Sequence, residues 1–208
     1  MSRPTSRVAA TRQTRVNVAR AAAVLFTERG YGGTTLQAIA DQAGVSVETV
    51  GLLGPKRRLL REAFDMVFAG DGNAFPAGNE PSYIQLAKDH DLATAVSEYV
   101  RLLAFSIARS AGLWRALQAA ADADPASADL FSEVRAIRRH EYHQTAQWLV
   151  AQGLATPDRV PFLVEQFYVI ASHETFLLLK DECDYTAEAF ADRLHGQVRS
   201  LLPAAASD

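Results

Sequence analysis

Two histidines three residues apart, His140 and His143, and a third beside a carboxylate, His173-Glu174, are the residues whose types first invite a chemical reading. On a helix His140 and His143 share one face, and paired imidazoles can seed a metal site. The spacing found in zinc proteases is absent, however, and no cysteine supports the pair. They read as polar surface, and no metal is expected. His173 interrupts an apolar stretch, so its ring must find a partner, either a ligand in a pocket or another group in the core. There is no glycine-rich phosphate loop, no nucleophile elbow and no paired motif with catalytic spacing, so neither an enzyme nor a cofactor is expected. Cys183 stands alone, which excludes an intramolecular disulfide and a multi-cysteine metal cluster, and reads as an inert thiol.

Charge points to a different partner. Residues 1 to 61 carry ten Lys or Arg (Arg3, Arg7, Arg12, Arg15, Arg20, Arg29, Lys56, Arg57, Arg58, Arg61) against three acids (Glu28, Asp41, Glu48), a balance of +7. The remainder holds 11 bases and 21 acids, a balance of -10, and the two parts together give the net charge of -3. A basic head suits phosphates, while an acidic body discourages the rest of the surface from adhering to nucleic acid.

The elements that must position such a head are helical. Val18, Ala22, Leu25 and Phe26 recur at helical spacing from about Thr14, and the run stops at Gly30. Thr34 and Gln37 form a capping box that opens a short helix with Leu36, Ile39, Ala40 and Ala43 inward. Gly44 breaks that helix, Val45 plugs the turn, and Ser46 caps a third helix through Thr49 and Val50. Gly54-Pro55 separates it from a fourth, with Leu59, Leu60, Ala63 and Phe64, and residues 70–81 read as a loop. Further helices are expected over 83–89, 91–110, 112–122, 126–152, 158–181 and 186–201, with breaks at Ala111-Gly112, Asp124-Pro125, Gly153 and Asp184. The fold class is all-α, in three segments: a basic arm over 1–14, a helix-turn-helix domain over 15–61, and a helical body over 62–208.

Residues Arg15 to Leu60 resemble the DNA-binding domain of the TetR family of bacterial regulators. The resemblance rests on Arg15, Val18, Ala21, Ala22, Leu25, Phe26, Gly30 and Tyr31, followed by Thr34-Thr35, Ile39-Ala40, Ala43-Gly44-Val45-Ser46 and Thr49-Val50. It implies a helix-turn-helix that binds palindromic double-stranded operator DNA as a homodimer, most often as a repressor released by a small molecule. The helix starts at Thr34-Thr35 and Ser46 would then aim hydroxyls and amides at phosphates, joined by Lys56, while Val47, Glu48 and Thr49 enter the major groove. Val47 suits a thymine methyl and Glu48 a cytosine amino group.

The match breaks down late in the recognition helix. Family members usually carry a Tyr that touches phosphate and a Phe that packs, followed by a Lys opening the fourth helix. Aligned without gaps, Gly51, Gly54 and Arg57 occupy those places; with one residue deleted, Leu53 replaces the Phe and Lys56 the Lys. The deletion keeps an apolar residue at the packing position. In both alignments Gly51 stands where the Tyr would be.

The body offers a subunit interface and a pocket. Phe162, Phe167, Ile170 and Leu177 cover more than one helical face, and Phe190, Leu194 and Val198 follow at helical spacing, so a four-helix bundle with a symmetry mate is expected. Tyr99, Phe105, Trp148, Tyr168 and Phe176, with Arg109, Gln147 and His173 as polar contacts, compose the expected wall of a largely apolar ligand site. The rival is a helical DNA-binding protein with no ligand, which would not need so large an apolar body. The N-terminus lacks a secretory apolar stretch, and Glu165, Gln166, His173 and Glu174 interrupt the richest apolar run, so a cytoplasmic protein with no membrane contact is expected.

Overall fold

The computed structural model describes residues 4–70 and 81–202, with side chains from Thr11 onward. It is helical throughout: α1 (Pro4–Gly33), α2 (Leu36–Ala43), α3 (Val47–Leu53), α4 (Lys56–Ala69), α5 (Ser82–Asp89), α6 (Leu92–Ala123), α7 (Pro125–Ala151), α8 (Val160–Ile170), α9 (His173–Cys183) and α10 (Ala187–Leu201). No strand occurs among the described residues. The first helix begins at Pro4, well before the Thr14 start that periodicity predicts; the side chains of Arg3 and Arg7 in the basic arm lie outside the described residues. So does the predicted loop from Asp71 to Glu80.

The chain divides into two compact units, one of residues up to Phe68 with Gly112–Ser132, the other of Ala69–Ala111 with the residues from Glu133 onward. This differs from a boundary at residue 61 in assigning α4 as far as Phe68, and the junction of α6 and α7, to the first unit. Trp114 accounts for the difference: it is fully buried, 5.8 Å from the Phe64 ring and 4.9 Å from Phe131. In the same unit Val18, Leu25 and Phe26 of α1, Ile39 and Ala40 of α2, Val50 of α3 and Leu59 and Leu60 of α4 are buried. Each large apolar side chain buried there contributes roughly 1.5 to 3 kcal/mol.

Two expected boundaries fall differently. Gly112 does not break α6; a Cβ placed on it would lie 2.7 Å from Cγ2 of Thr27, so the glycine serves close approach of α1 to α6. Conversely, the stretch 158–181 is not one helix. Ser172 adopts φ -126, ψ 152 and its hydroxyl accepts from the Thr175 amide at 3.0 Å, which caps a new helix. The carbonyl of Ala171 is taken by the Tyr142 hydroxyl. His173 consequently sits in the first turn of α9, not in a helix interior. The breaks at Asp124-Pro125, Gly153 (φ 74) and Asp184 (φ 53) fall as expected, the last two in the left-handed region that ends helices.

In the second unit Leu103, Ala104 and Ile107 of α6 and Tyr142, Ala146 and Leu149 of α7 are buried, as are Leu163 and Phe167 of α8, Phe176 of α9 and Phe190 and Leu194 of α10. Arg138 joins α7 to α9 through Glu174 at 3.0 Å and lies 4.3 Å from the Tyr168 ring centre.

Candidate functional site

The helix-turn-helix is built by its caps. The Thr35 hydroxyl accepts from the Ala38 amide at 3.1 Å and opens α2, one residue later than the capping box from Thr34 predicts. Gln37 instead donates to Asp41 at 2.8 Å. Gly44 ends α2 in the left-handed conformation (φ 68, ψ 33), where a side chain would be strained, and half-buried Val45 follows as the plug. The Ser46 hydroxyl accepts from the Thr49 amide at 3.2 Å and opens α3.

Of the residues expected to meet DNA, Thr35, Ser46 and Glu48 are exposed and Val47 and Thr49 half-buried, all at the N-terminal ends of α2 and α3. The Glu48 backbone amide and Ser46 hold the Glu48 carboxyl below the usual range, so it is an anion at neutral pH, suited to accept a hydrogen bond from a base amino group. The Thr49 hydroxyl lies 3.1 Å from that of Ser46.

Thr34 and Lys56 do not present their polar atoms as expected. Thr34 is 1 % exposed, and its hydroxyl is shared between the carbonyls of Leu25 (3.1 Å) and Gly30 (2.9 Å). Lys56 donates to the carbonyls of Tyr31 (2.7 Å) and Thr34 (2.9 Å). Both are spent on backbone carbonyls of α1 and the turn that follows it. Burial lowers the Lys56 pKa. Other head charges are also engaged: Glu62 takes Arg15 at 2.5 Å and Arg58 at 3.1 Å, and Arg61 reaches Asp65 at 2.8 Å. Arg20 and Arg29 are exposed, and Arg57 is half-buried.

Around Gly51 the surface is open, with no atom within 4 Å of an added Cβ. Leu53 is half-buried, and Gly54 ends α3 at φ 135, where a Cβ would meet Arg58 at 2.8 Å. Next to Gly51, Leu52 is 88 % exposed.

The second unit contains a cavity of about 40 Å³. Tyr99, Val100 and Leu103 of α6 and Tyr142, Trp148 and Leu149 of α7 line it. Of the expected ligand residues, only Tyr99 and Trp148 are in this wall. Phe105 lies under Arg101 (5.3 Å), and Arg109 is exposed with its guanidinium on the Ser106 hydroxyl at 2.7 Å. Tyr168 is flanked by Arg138 and Arg139, and Phe176 packs on Phe190 at 5.1 Å. His173 is buried with Nε2 2.9 Å from the Ser110 hydroxyl; desolvation, helped by Arg138, lowers its pKa to about 3, so it is a neutral core residue.

The expected interface is mostly interior. Phe167, Ile170, Leu177, Phe190, Leu194 and Val198 are all buried within their own chain, and Phe167, Leu194 and Val198 line the cavity. Phe162 alone among the seven is exposed, at 43 %, and Val169 and Leu178 are exposed at 62 % each. Phe162 and Val169, seven residues apart, share one helical face, a spacing that marks this side although the sequence reading did not include Val169. Among the described residues no cluster of three metal-ligating groups occurs, and no single helix is long and apolar enough to cross a membrane.

Residues 19–50 match the family described as bacterial regulatory proteins, tetR family. In structure the chain is similar to a mutant of HlyIIR (TM-score 0.61, 19% identity, covering 95% of this chain and 100% of that one). It is also similar to a transcriptional regulator from Rhodococcus sp. Rha1 (TM-score 0.62, 17% identity, covering 92% and 98%). At such identities these likenesses establish the shared all-helical fold. No curated protein matches the sequence.

Proposed function

Because residues 19–50 match the tetR family of bacterial regulatory proteins, we propose that the chain is a transcriptional repressor of that family that binds palindromic operator DNA as a homodimer and is released by a small molecule. The observation that carries this is α3: a helix opened by Ser46, with Val47, Glu48 and Thr49 in its first turn, set in a head of charge +7. Thr35 and Ser46 contact phosphates, Val47, Glu48 and Thr49 read base edges, and exposed Arg20 and Arg29 add to the phosphate field. Lys56 and Thr34 act behind them, holding the turn that aims α2 and α3.

Homodimerisation is supported by Phe162 and Val169 on α8 and Leu178 on α9, large apolar side chains that a symmetry mate would cover. Two heads then meet successive major grooves about 34 Å apart. Such work places the protein in the cytoplasm.

Release is supported by the cavity and by α6. The same continuous helix carries Tyr99, Val100 and Leu103 in the cavity wall and Leu113, Trp114 and Leu117 in the core of the first unit. A ligand that binds one state of this helix better than another shifts the DNA-binding equilibrium by that difference in affinity. The second reading, a DNA-binding protein without a ligand, is favoured by the smallness of the void, about 40 Å³.

Selection from a random duplex pool, followed by titration in rising salt, tests the DNA-binding function. A palindromic consensus bound with steeply salt-dependent affinity is expected. Recovery of no consensus, or binding indifferent to salt, would overturn it.

A further inference from the structure

On the reading of the second unit as the ligand-sensing part, we propose that its ligand is a compact, uncharged, hydrocarbon-like molecule held between α6 and α7 by apolar contact, without a polar anchor. The hydroxyls of the wall are already committed to the protein. The Tyr142 hydroxyl donates to the Ala171 carbonyl, the Thr145 hydroxyl to the Glu141 carbonyl at 2.9 Å, and the Tyr99 hydroxyl is hydrogen-bonded with Thr145. No Lys, Arg, His, Asp or Glu lines the cavity.

The groups that sequence reasoning assigned as orienting contacts are elsewhere, Arg109 on Ser106 and His173 on Ser110. Burial pushes the phenols of Tyr99 and Tyr142 up, so they stay neutral and supply no counter-charge. An ionised ligand would lose its hydration and find no counter-charge, whereas a neutral one gains in proportion to the apolar surface it removes from water.

Size narrows the class further. The void, about 40 Å³, exceeds the roughly 10 to 15 Å³ that one water needs and falls short of the ~150 Å³ of an apolar cavity known to admit benzene. A ring-sized ligand therefore enters by displacing part of the wall. Tyr142 and Phe167 are buried, but Tyr99 and Trp148 are only half-buried, and on this proposal they are the wall residues that yield. Tyr83 of α5 packs on both, 5.4 Å from Tyr99 and 5.1 Å from Trp148, so α5 follows their movement.

Toluene, benzoate and benzylamine share one ring and differ in charge, which makes them suitable probes. In calorimetric titrations of the full chain at neutral pH, toluene is expected to bind, and the two ions at least about a hundredfold more weakly. Val100→Phe, which fills the cavity, should abolish toluene binding. Leu149→Ala, which enlarges it, should tighten toluene binding and serves if the first variant does not fold. Binding of either ion as tight as that of toluene, toluene binding unchanged in both variants, or no binding by any probe would overturn the proposal. Release of operator DNA, measured in parallel, separates the two readings. Toluene bound in the cavity without DNA release supports the ligand class and sinks the sensor function. Release by a charged compound with toluene inert sinks the ligand class and leaves the sensor standing.

Discussion

The Lys56 ammonium lies 2.7 Å from the carbonyl oxygen of Tyr31 and 4.1 Å above the centre of the Tyr31 ring, so one cation closes the end of α1 twice, by hydrogen bond and by cation–π contact. This ties the start of α4 to the turn before α2. Lys56→Ala should lower the stability of the head by about 1.5 to 3 kcal/mol, the range for hydrogen bonds to a charged group. Thermal unfolding measures that loss. A lysine whose main task is to hold phosphate would instead leave stability unchanged and reduce the salt slope of DNA binding by about one.

Gly112→Ala tests close packing against helix propensity. Alanine is favoured over glycine in a helix by about 0.8 to 1 kcal/mol, yet its Cβ would stand 2.7 Å from the Thr27 methyl. In a Thr27→Ala background the substitution should stabilise by about 1 kcal/mol, and with Thr27 present that gain should vanish or reverse. Equal effects in the two backgrounds, read by urea denaturation, would show that the contact is not limiting.

Gly51→Tyr should leave folding intact, because nothing lies within 4 Å of the added Cβ. On the proposed DNA-binding function it should tighten operator affinity, by restoring a phosphate contact to the recognition helix. An unchanged or weaker affinity in a folded variant, measured by fluorescence anisotropy, would mean that α3 meets DNA in a different register.

His173 makes stability depend on pH. Burial lowers its folded pKa to about 3, while the unfolded side chain titrates near 6.5, so the unfolded state binds the extra proton in between. Its contribution is complete above pH 6.5 and falls as pH drops toward 3. From pH 7 to pH 5 wild type should lose about 2 kcal/mol more than His173→Gln. Parallel loss in both proteins, in denaturant titrations at the two pH values, would place the titrating group elsewhere.

Val169→Asp and Leu178→Asp should each shift the proposed dimer to monomer in sedimentation while leaving the monomer folded, since both side chains are 62 % exposed. A dimer that persists in the double variant would put the interface on another surface.

Local chemistry made much of the first unit legible in the sequence. Gly44 requires its positive φ, Ser46 accepts an amide wherever it precedes a helix, and the periodicity of Val18, Ala22, Leu25 and Phe26 selects one buried stripe. These features depend on neighbours within a turn or two, and they carry the family pattern as well. Tertiary structure decided the rest. Thr34 and Lys56 have the types and places of phosphate ligands, but backbone carbonyls of α1 and the turn after it, brought close by the fold, take their polar hydrogens. Gly112 reads as a helix stop until Thr27, far away in sequence, occupies the space beside it. Phe167, Leu194 and Val198 are apolar on periodic faces, and periodicity states only that such faces are covered. Whether the cover is the same chain, a cavity or a second copy depends on how α8 and α10 pack with α6 and α7, contacts between residues tens of positions apart that no local pattern encodes.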